Sequence, residues 1–407
     1  MFINRLPASF TKQPRASSIK RPLASFIKQP RASSTRLPLA LFTKRPRASS
    51  IKRPRASSGQ QQPKASKLSD NGLRQCLRIA VGAWLGFLIS QLMHWNYGVF
   101  FTVFPMFLLG IIPVFNAHVV RQFLGNACLN VVEISLVVGL TQHLPVVMTG
   151  LVFLMFLGRF TLMARGPLFV FGANGVLTLS IMLHFASYPD LDLFDLLASN
   201  TVASFLAVAI AALMHWLFPD VTPRQPPPRQ AKTAALKRHQ ALIGALTATL
   251  SFLVFQLLDL RDSLSAQMAT ILILFALGYH GARMSAWRRA IGTLLGCNLA
   301  LVLQLVLFTK SDHLLLVLLA YAIGLLLFAR EHVIENAGSG IGFGGLTTLG
   351  ILFGQYLRPD QDLVVDAVYR FSSMCVALLA TLAVMAVLHR LLDLWPAVSS
   401  REAPHTS

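Results

Sequence analysis

Long apolar runs alternate with short polar gaps along the chain, and twelve of the runs approach bilayer-spanning length. A spanning helix needs about 20 mostly apolar residues. On that measure the first half holds spans over 75–93, 97–116, 122–141, 145–164, 167–186 and 194–218. The second half holds them over 239–258, 264–281, 288–308, 313–329, 338–357 and 365–394.

The two halves read as copies of one another. Gly172-Ala-Asn-Gly175-Val-Leu-Thr178-Leu179 reappears as Gly342-Phe-Gly-Gly345-Leu-Thr-Thr348-Leu349, an offset of 170 residues. The same offset carries Pro189-Asp190 onto Pro359-Asp360, and an offset of 167 carries Arg121-x-x-x-Gly125 onto Arg288-x-x-x-Gly292. Six spans per unit is an even number, so both units share one orientation. The expected fold is an all-α integral membrane protein with about twelve transmembrane helices as two parallel six-helix repeats. Repeats of this kind are common in transporters, with the binding region where the repeats meet.

Composition supports a lipid-solvated body. The 407 residues are 54% hydrophobic and 13% charged, with a mean hydropathy of +0.59, whereas soluble domains carry about 25% charge. The net charge of +20 suggests nucleic acid at first sight, but it is unevenly spread. Residues 1–70 hold 16 Lys/Arg against Asp70 alone, a net +15, and the remaining 20 Lys/Arg and 15 acids leave only +5. From Lys12 to Ser58 an eight-residue unit recurs, each copy punctuated by Pro. Pro at that spacing prevents a long helix, and Ser-rich basic low complexity cannot bury a core. Residues 1–70 are therefore expected to be a disordered tail, without the apolar stretch of a signal peptide. Either the tail touches anionic lipid, or repetitive DNA has been read ahead of the true start. No nucleic-acid partner is expected.

Residues 71–219 form the first expected repeat and 239–396 the second, joined by a Pro-rich basic linker over 220–238 and followed by a tail over 397–407. Lys/Arg bias sets orientation. With both termini cytoplasmic, the inner loops carry Arg121, Arg159, Arg165, Arg224, Arg229, Lys232, Lys237, Arg283, Arg288, Arg289 and Arg330, and the outer loops only Arg261, Lys310 and Arg358.

Polar residues inside the spans are candidate pathway residues, since an acid at mid-bilayer costs about 2.5–3.5 kcal/mol. Helical steps of about 100° place Gln122, Asn126, Asn130 and Glu133 within one arc of about 80°. Glu133 is either a proton-coupling carboxylate or one rung of a helix–helix hydrogen-bond ladder. The Gly-rich segments, with Asn174, Gly175 and Thr178 matched by Gly344, Gly345 and Thr348, are either a binding region or close helix packing. Gly340, Gly342 and Gly345 also satisfy G-x-G-x-x-G, but no strand precedes them, which rejects a dinucleotide site. Arg121, Arg288 and Arg289 stand at the inner rim, where they could gather an anion, while Arg159 reads as a topology determinant. Arg370 matches Asn200 in the sixth span.

The four cysteines lie in apolar stretches and read as small buried side chains, and the histidines show no ligand spacing. No metal, no cofactor and no catalytic set is expected.

With Arg121-Gln-Phe-Leu-Gly125 and Arg288-Arg-Ala-Ile-Gly292-Thr-Leu-Leu-Gly296 on two six-span units, residues 72–396 resemble the fusaric acid resistance / aromatic acid exporter superfamily of bacterial inner-membrane proteins. The resemblance implies export of small organic, especially aromatic, anions or related toxic compounds, driven by proton-motive force and often beside a periplasmic membrane-fusion adaptor. A second copy of the chain is a further candidate partner. Distant plant malate channels keep a passive anion channel open as an alternative, and a non-transporting membrane scaffold is a second. Many of these exporters carry a large cytoplasmic domain between or after their halves; here only residues 220–238 separate them.

Overall fold

The order of caps and breakers divides the chain into twelve helices in the computed structural model, which describes residues 68–399 apart from 113, 142, 189–191, 225–231, 261–262, 308–312, 337, 357–362 and 396. The basic tail up to residue 67, residues 225–231 of the linker with Arg229, and the Pro189-Asp190 and Pro359-Asp360 landmarks lie outside the described residues, as do outer-loop Arg261, Lys310 and Arg358. The helices are α1 (Asp70–Leu92), α2 (Gly98–Gly110), α3 (Ala117–Thr141), α4 (Pro145–Arg165), α5 (Phe169–Ala186) and α6 (Leu193–Leu217). They continue as α7 (Ala234–Leu257), α8 (Leu264–Leu274), α9 (Tyr279–Leu307), α10 (Leu314–Glu335), α11 (Ile341–Tyr356) and α12 (Leu363–Asp393).

Local chemistry sets several ends. Ser69, Asp192 and Thr233 cap α1, α6 and α7 through side-chain oxygens that accept backbone N–H groups left open in the first turn. Pro145 opens α4, where its missing N–H has no helical partner to lose. Gly166 ends α4 at φ +96°, a conformation that disfavours any residue with a Cβ.

Nine helices are long and apolar enough to cross a bilayer among the described residues. The expectation of about twelve spans meets its exceptions in α2, α8 and α11. The expected spans 97–116 and 264–281 are realised as helices of 13 and 11 residues. At 1.5 Å per residue these reach about 20 Å or less, short of a hydrocarbon core of about 30 Å. Pro105 lies within α2, and α8 stops before Leu277, which sits at positive φ. Every residue of α8, and every residue of α2 except Gly110, is buried. Such half-length segments are tolerated at membrane depth only when other protein shields them.

The long helices supply that shield. α10 turns Leu315, Leu319, Ile323, Leu326 and Leu327 outward, and α3, α4, α6, α9 and α12 expose similar rows. A surface of this kind belongs against lipid tails, not water. Trp216, Trp287 and Trp395 stand exposed near helix ends, the position at which indoles favour the headgroup layer.

Inside, α4 runs along α7 and α10 along α1, while α3 packs on α5 and α9 on α11. The short helices cross between these groups, α2 onto α11 and α8 onto α5. Thr102 on α2 lies 3.3 Å from the Gly350 carbonyl, sharing its one proton with the Val99 carbonyl of its own helix at 3.0 Å, and Gln267 on α8 donates to the Ser180 carbonyl at 2.7 Å. The start of the linker docks on α1: Arg78 pairs with Asp220, and Asn71 donates to Thr222.

Close packing makes some glycines irreplaceable. A Cβ on Gly292 of α9 would run into the Ile341 carbonyl at the start of α11, and backbone cannot yield. Gly158 on α4 has open space around it. Gly292→Leu should destabilise the protein by about 1–3 kcal/mol or more, and Gly158→Leu should leave it near the parent. Thermal unfolding of both variants in detergent checks this; equal melting temperatures would refute the α9–α11 contact.

Candidate functional site

The polar stripe on α3 is real, and it is buried. Asn126 and Asn130 are fully enclosed, and Gln122 and Glu133 flank them along the same face. Both asparagine amides donate to the Thr178 hydroxyl on α5, Asn126 at 3.3 Å and Asn130 at closer range. Thr178 in turn donates to the Asn174 carbonyl at 2.7 Å, so its oxygen is saturated, with two bonds accepted and one donated. Gln122 donates to the Pro167 carbonyl and accepts from the Phe171 N–H.

The ladder ends on a charge that the sequence reading assigned to topology alone. Arg159 of α4 is 5% exposed. Its Nη2 donates to Glu133 Oε2 at 2.7 Å and to Asn130 Oδ1 at 3.3 Å, and its guanidinium lies 4.7 Å over the Phe171 ring. Arg159 is therefore an interior ion-pair partner, not an inner-rim residue. The cause is its register: apolar residues follow it for more than a turn before Arg165 ends the helix. Gly175 makes the room, since a Cβ there would stand 2.5 Å from Arg159 Nε and 2.7 Å from Asn126 Oδ1. Glu133 keeps a quarter of its side chain exposed. That edge opens on a groove between α3 and α4 that Leu136, Leu140, Leu154 and Arg165 also line.

The second half carries a different arrangement. Thr348 on α11 donates to Thr293 on α9 at 3.1 Å. Arg289, one turn away on α9, is 2% exposed and among the largest fully buried side chains. Its Nη2 donates to Thr347 at 3.0 Å and its Nη1 to Ser339 at 3.5 Å, while Nε has no hydrogen-bond partner. No carboxylate lies within ion-pair distance of Arg289 among the described residues. Gly344 lets α11 approach the Arg289 backbone, and Gly345 admits the Phe328 ring.

The matched arginines do not share a role. Arg121 is exposed, and Arg288 is partly exposed and pairs with Glu335 at 3.5 Å. The structure thus joins Asn126, Asn130, Glu133, Gly175 and Thr178 around Arg159, and separately groups Arg289, Gly344 and Thr348; Arg121 enters neither. Asn174 and Asn200 are fully buried, and neither side-chain amide finds a hydrogen-bond partner. Arg370 is buried and donates to Ser265. Of the cysteines, Cys76 and Cys297 are buried as expected, Cys375 is partly so and Cys128 is exposed. Among the described residues His239, His389 and Asp393 converge, a grouping that 150 residues of intervening chain hid from the sequence.

The space between α2, α5 and α8 is closed by Phe100, Val103, Phe104, Leu177, Ile181 and Met268, with no room for water. These side chains form an apolar plug between α2 and α5 of the first half and α8 of the second.

An all-helical chain with many membrane-length apolar helices and an outward apolar surface is a multi-pass membrane protein. Residues 247–384 match the fusaric acid resistance protein-like family, the one the sequence resembles. Residues 75–214 match a second family, described as a protein of unknown function (DUF2955). No curated protein and no solved structure matches the chain.

The Arg159–Glu133 pair has a measurable signature. Removing one partner of an enclosed pair leaves a charge without compensation, at about 3–5 kcal/mol when burial is complete. With Glu133 partly open, Arg159→Met or Glu133→Leu alone should cost about 1–3 kcal/mol. The double variant should cost less than the sum of the two singles. Additive losses in detergent unfolding would mean the pair is not coupled.

Proposed function

We propose that the protein carries small organic anions, aromatic carboxylates among them, outward across a bacterial inner membrane, with proton-motive force as the drive. The observation that carries this reading is Arg289. A guanidinium taken out of water costs several kcal/mol unless a counter-charge meets it. Arg159 has Glu133 for that purpose; Arg289 has only hydroxyl acceptors. An anion from solution is the counter-charge its surroundings lack. The fusaric acid resistance-like match over residues 247–384 supports transport as the general role.

The two sets of six helices read as a parallel duplication. The partnering of α4 with α7 recurs in α10 with α1, and that of α3 with α5 in α9 with α11. The bonds from Thr102 to Gly350 and from Gln267 to Ser180 relate corresponding helices with the two halves exchanged. Short hydrophobic segments in matching positions of two halves are the best pointer to a binding region, and α2 and α8 are such a pair. Arg121 and Arg288 would gather the anion at the cytoplasmic mouth, and Glu133 would exchange the coupling proton. A periplasmic adaptor and a second copy of the chain are the proposed partners. The chief competing reading is a passive anion channel.

Purified protein in liposomes, with benzoate as the probe, separates the readings. Uphill movement driven by a pH gradient and abolished by an ionophore is the exporter outcome. A steady voltage-driven current would select the channel, and absence of any anion flux would overturn both. Arg289→Gln should raise the half-saturating benzoate concentration roughly tenfold, the equivalent of about 1.4 kcal/mol. Arg289→Lys should recover part of that loss, because charge remains while the planar fork is gone. If Glu133→Gln folds and still drives uphill flux with the parent's pH dependence, Glu133 is structural and coupling lies elsewhere.

Orientation is tested separately. On a background lacking the four native cysteines, Thr233→Cys should resist a membrane-impermeant thiol reagent in intact cells, and Asp259→Cys should react. The reverse pattern would invert the proposed topology.

A further inference from the structure

Where α7 begins and α12 ends, three side chains with metal-ligating atoms meet. His239 lies in the second turn of α7, and His389 and Asp393 stand one helical turn apart near the end of α12. One donor atom from each falls within 4.8 Å of the other two. His239 is 3% exposed, and Tyr279 stacks on the His389 ring at 6.0 Å, so the rings are held in place.

The hydrogen-bond pattern orients the ligand atoms. His239 Nδ1 lies 2.9 Å from the Val398 carbonyl, which can only accept, so that nitrogen carries the proton. The other nitrogen, Nε2, therefore presents its lone pair, and it faces His389 Nδ1 at 3.0 Å. A ring nitrogen fixed by a backbone carbonyl, leaving its opposite nitrogen free to ligate, is the usual outer support of a metal-binding histidine. Two imidazole nitrogens on one tetrahedral ion at about 2.0–2.1 Å each stand about 3.3 Å apart, close to the spacing already present. The Asp393 carboxylate lies 3.8 Å from His239 Nδ1 and from His389 Nε2, the nitrogens opposite the two that face each other, and it offers an oxygen within 4.8 Å of a ligating nitrogen of each ring.

We propose that His239, His389 and Asp393 form a binding site for one first-row divalent transition ion of the zinc type. Two imidazoles and a carboxylate suit zinc, cobalt or nickel rather than calcium or magnesium, which prefer all-oxygen shells. Three protein ligands leave a fourth position for water. The bound ion ties the first helix of the 234–393 set to its last, and through His239 it steadies the Val398 segment beyond α12. The site is separate from Arg159, Arg289 and the pathway built on them, so it stands or falls independently of the proposed transport.

The test uses the full chain without a histidine tag, in detergent, stripped with EDTA and desalted. Titration with cobalt chloride should give one ion per chain and a visible ligand-field band of four- or five-coordinate cobalt, and zinc should displace it. Zinc should also raise the melting temperature by several degrees. His389→Gln and Asp393→Asn should each weaken binding roughly tenfold or more, while His94→Gln, remote on the chain and outside the cluster, should not. X-ray absorption on the zinc-loaded parent should report two imidazole ligands, a readout that needs no variant to fold. Absence of stoichiometric binding, fewer than two imidazoles, or unchanged affinity in both cluster variants would overturn the proposal.

Discussion

A charge drawn into a membrane protein must be met by another part of the same protein, and Arg159 shows how far that requirement reaches. Its guanidinium takes Glu133 and Asn130 from α3, covers Phe171 of α5, and fits only because position 175 lacks a Cβ. Three helices are thereby fixed in register by one side chain. The rungs above it, Asn126 and Asn130 on Thr178, inherit that register. Apolar packing alone would not choose it, since lipid tails compete evenly with leucine for the same surface.

Under the proposed duplication, the second half keeps the frame and changes the charge. Thr348 on Thr293 repeats the α5–α3 contact between α11 and α9, and Gly345 leaves space as Gly175 does. The space at Gly345 is filled by the Phe328 ring rather than by a guanidinium. The buried cation appears instead at Arg289, which the 167-residue offset matches to Gln122. Gln122 satisfies itself on backbone at 167 and 171. Arg289 occupies the corresponding place with a full charge and only hydroxyl acceptors, the place where the proposed function would hold an anion.

Much of the fold was legible because a bilayer simplifies the code. Long apolar runs became helices, most within about six residues of their expected limits, with α8 ending seven residues early and α9 starting nine residues early, and the 100° stripe on α3 emerged as a buried face. Four features were not legible, each for a physical reason. Helix length in α2 and α8 depends on shielding by neighbours, so the same apolar composition reads as a full span. The repeat drew attention to Arg121 and Arg288, yet one residue further along a helix turns a side chain by about 100°; that step separates the partly exposed Arg288 from the buried Arg289. Arg159 carried a fair signal, an arginine with apolar residues on both sides, but the positive-inside pattern absorbed it. The His239–His389–Asp393 cluster had only an i, i+4 pair on show, with its third member on a distant helix.

The short helices also explain how a closed body can serve transport. α2 and α8 are sheathed by protein, so they do not hold the bilayer contact that fixes the long helices. Across the middle, α2 is tied to α11 by Thr102 and α8 to α5 by Gln267, each to a carbonyl that also belongs to a helix. A neutral hydrogen bond of that kind contributes about 0.5–1.5 kcal/mol, far less than the Arg159–Glu133 pair resists. Between them lies the phenylalanine plug, which excludes water without making any directional bond. The buried ion pair and the Arg289 contacts therefore each sit within one half, while α4 on α7 and α10 on α1 join the halves. Under the proposed function the plug is the barrier that opens, and because it makes no directional bond it can part while Arg159 and Arg289 keep their surroundings intact.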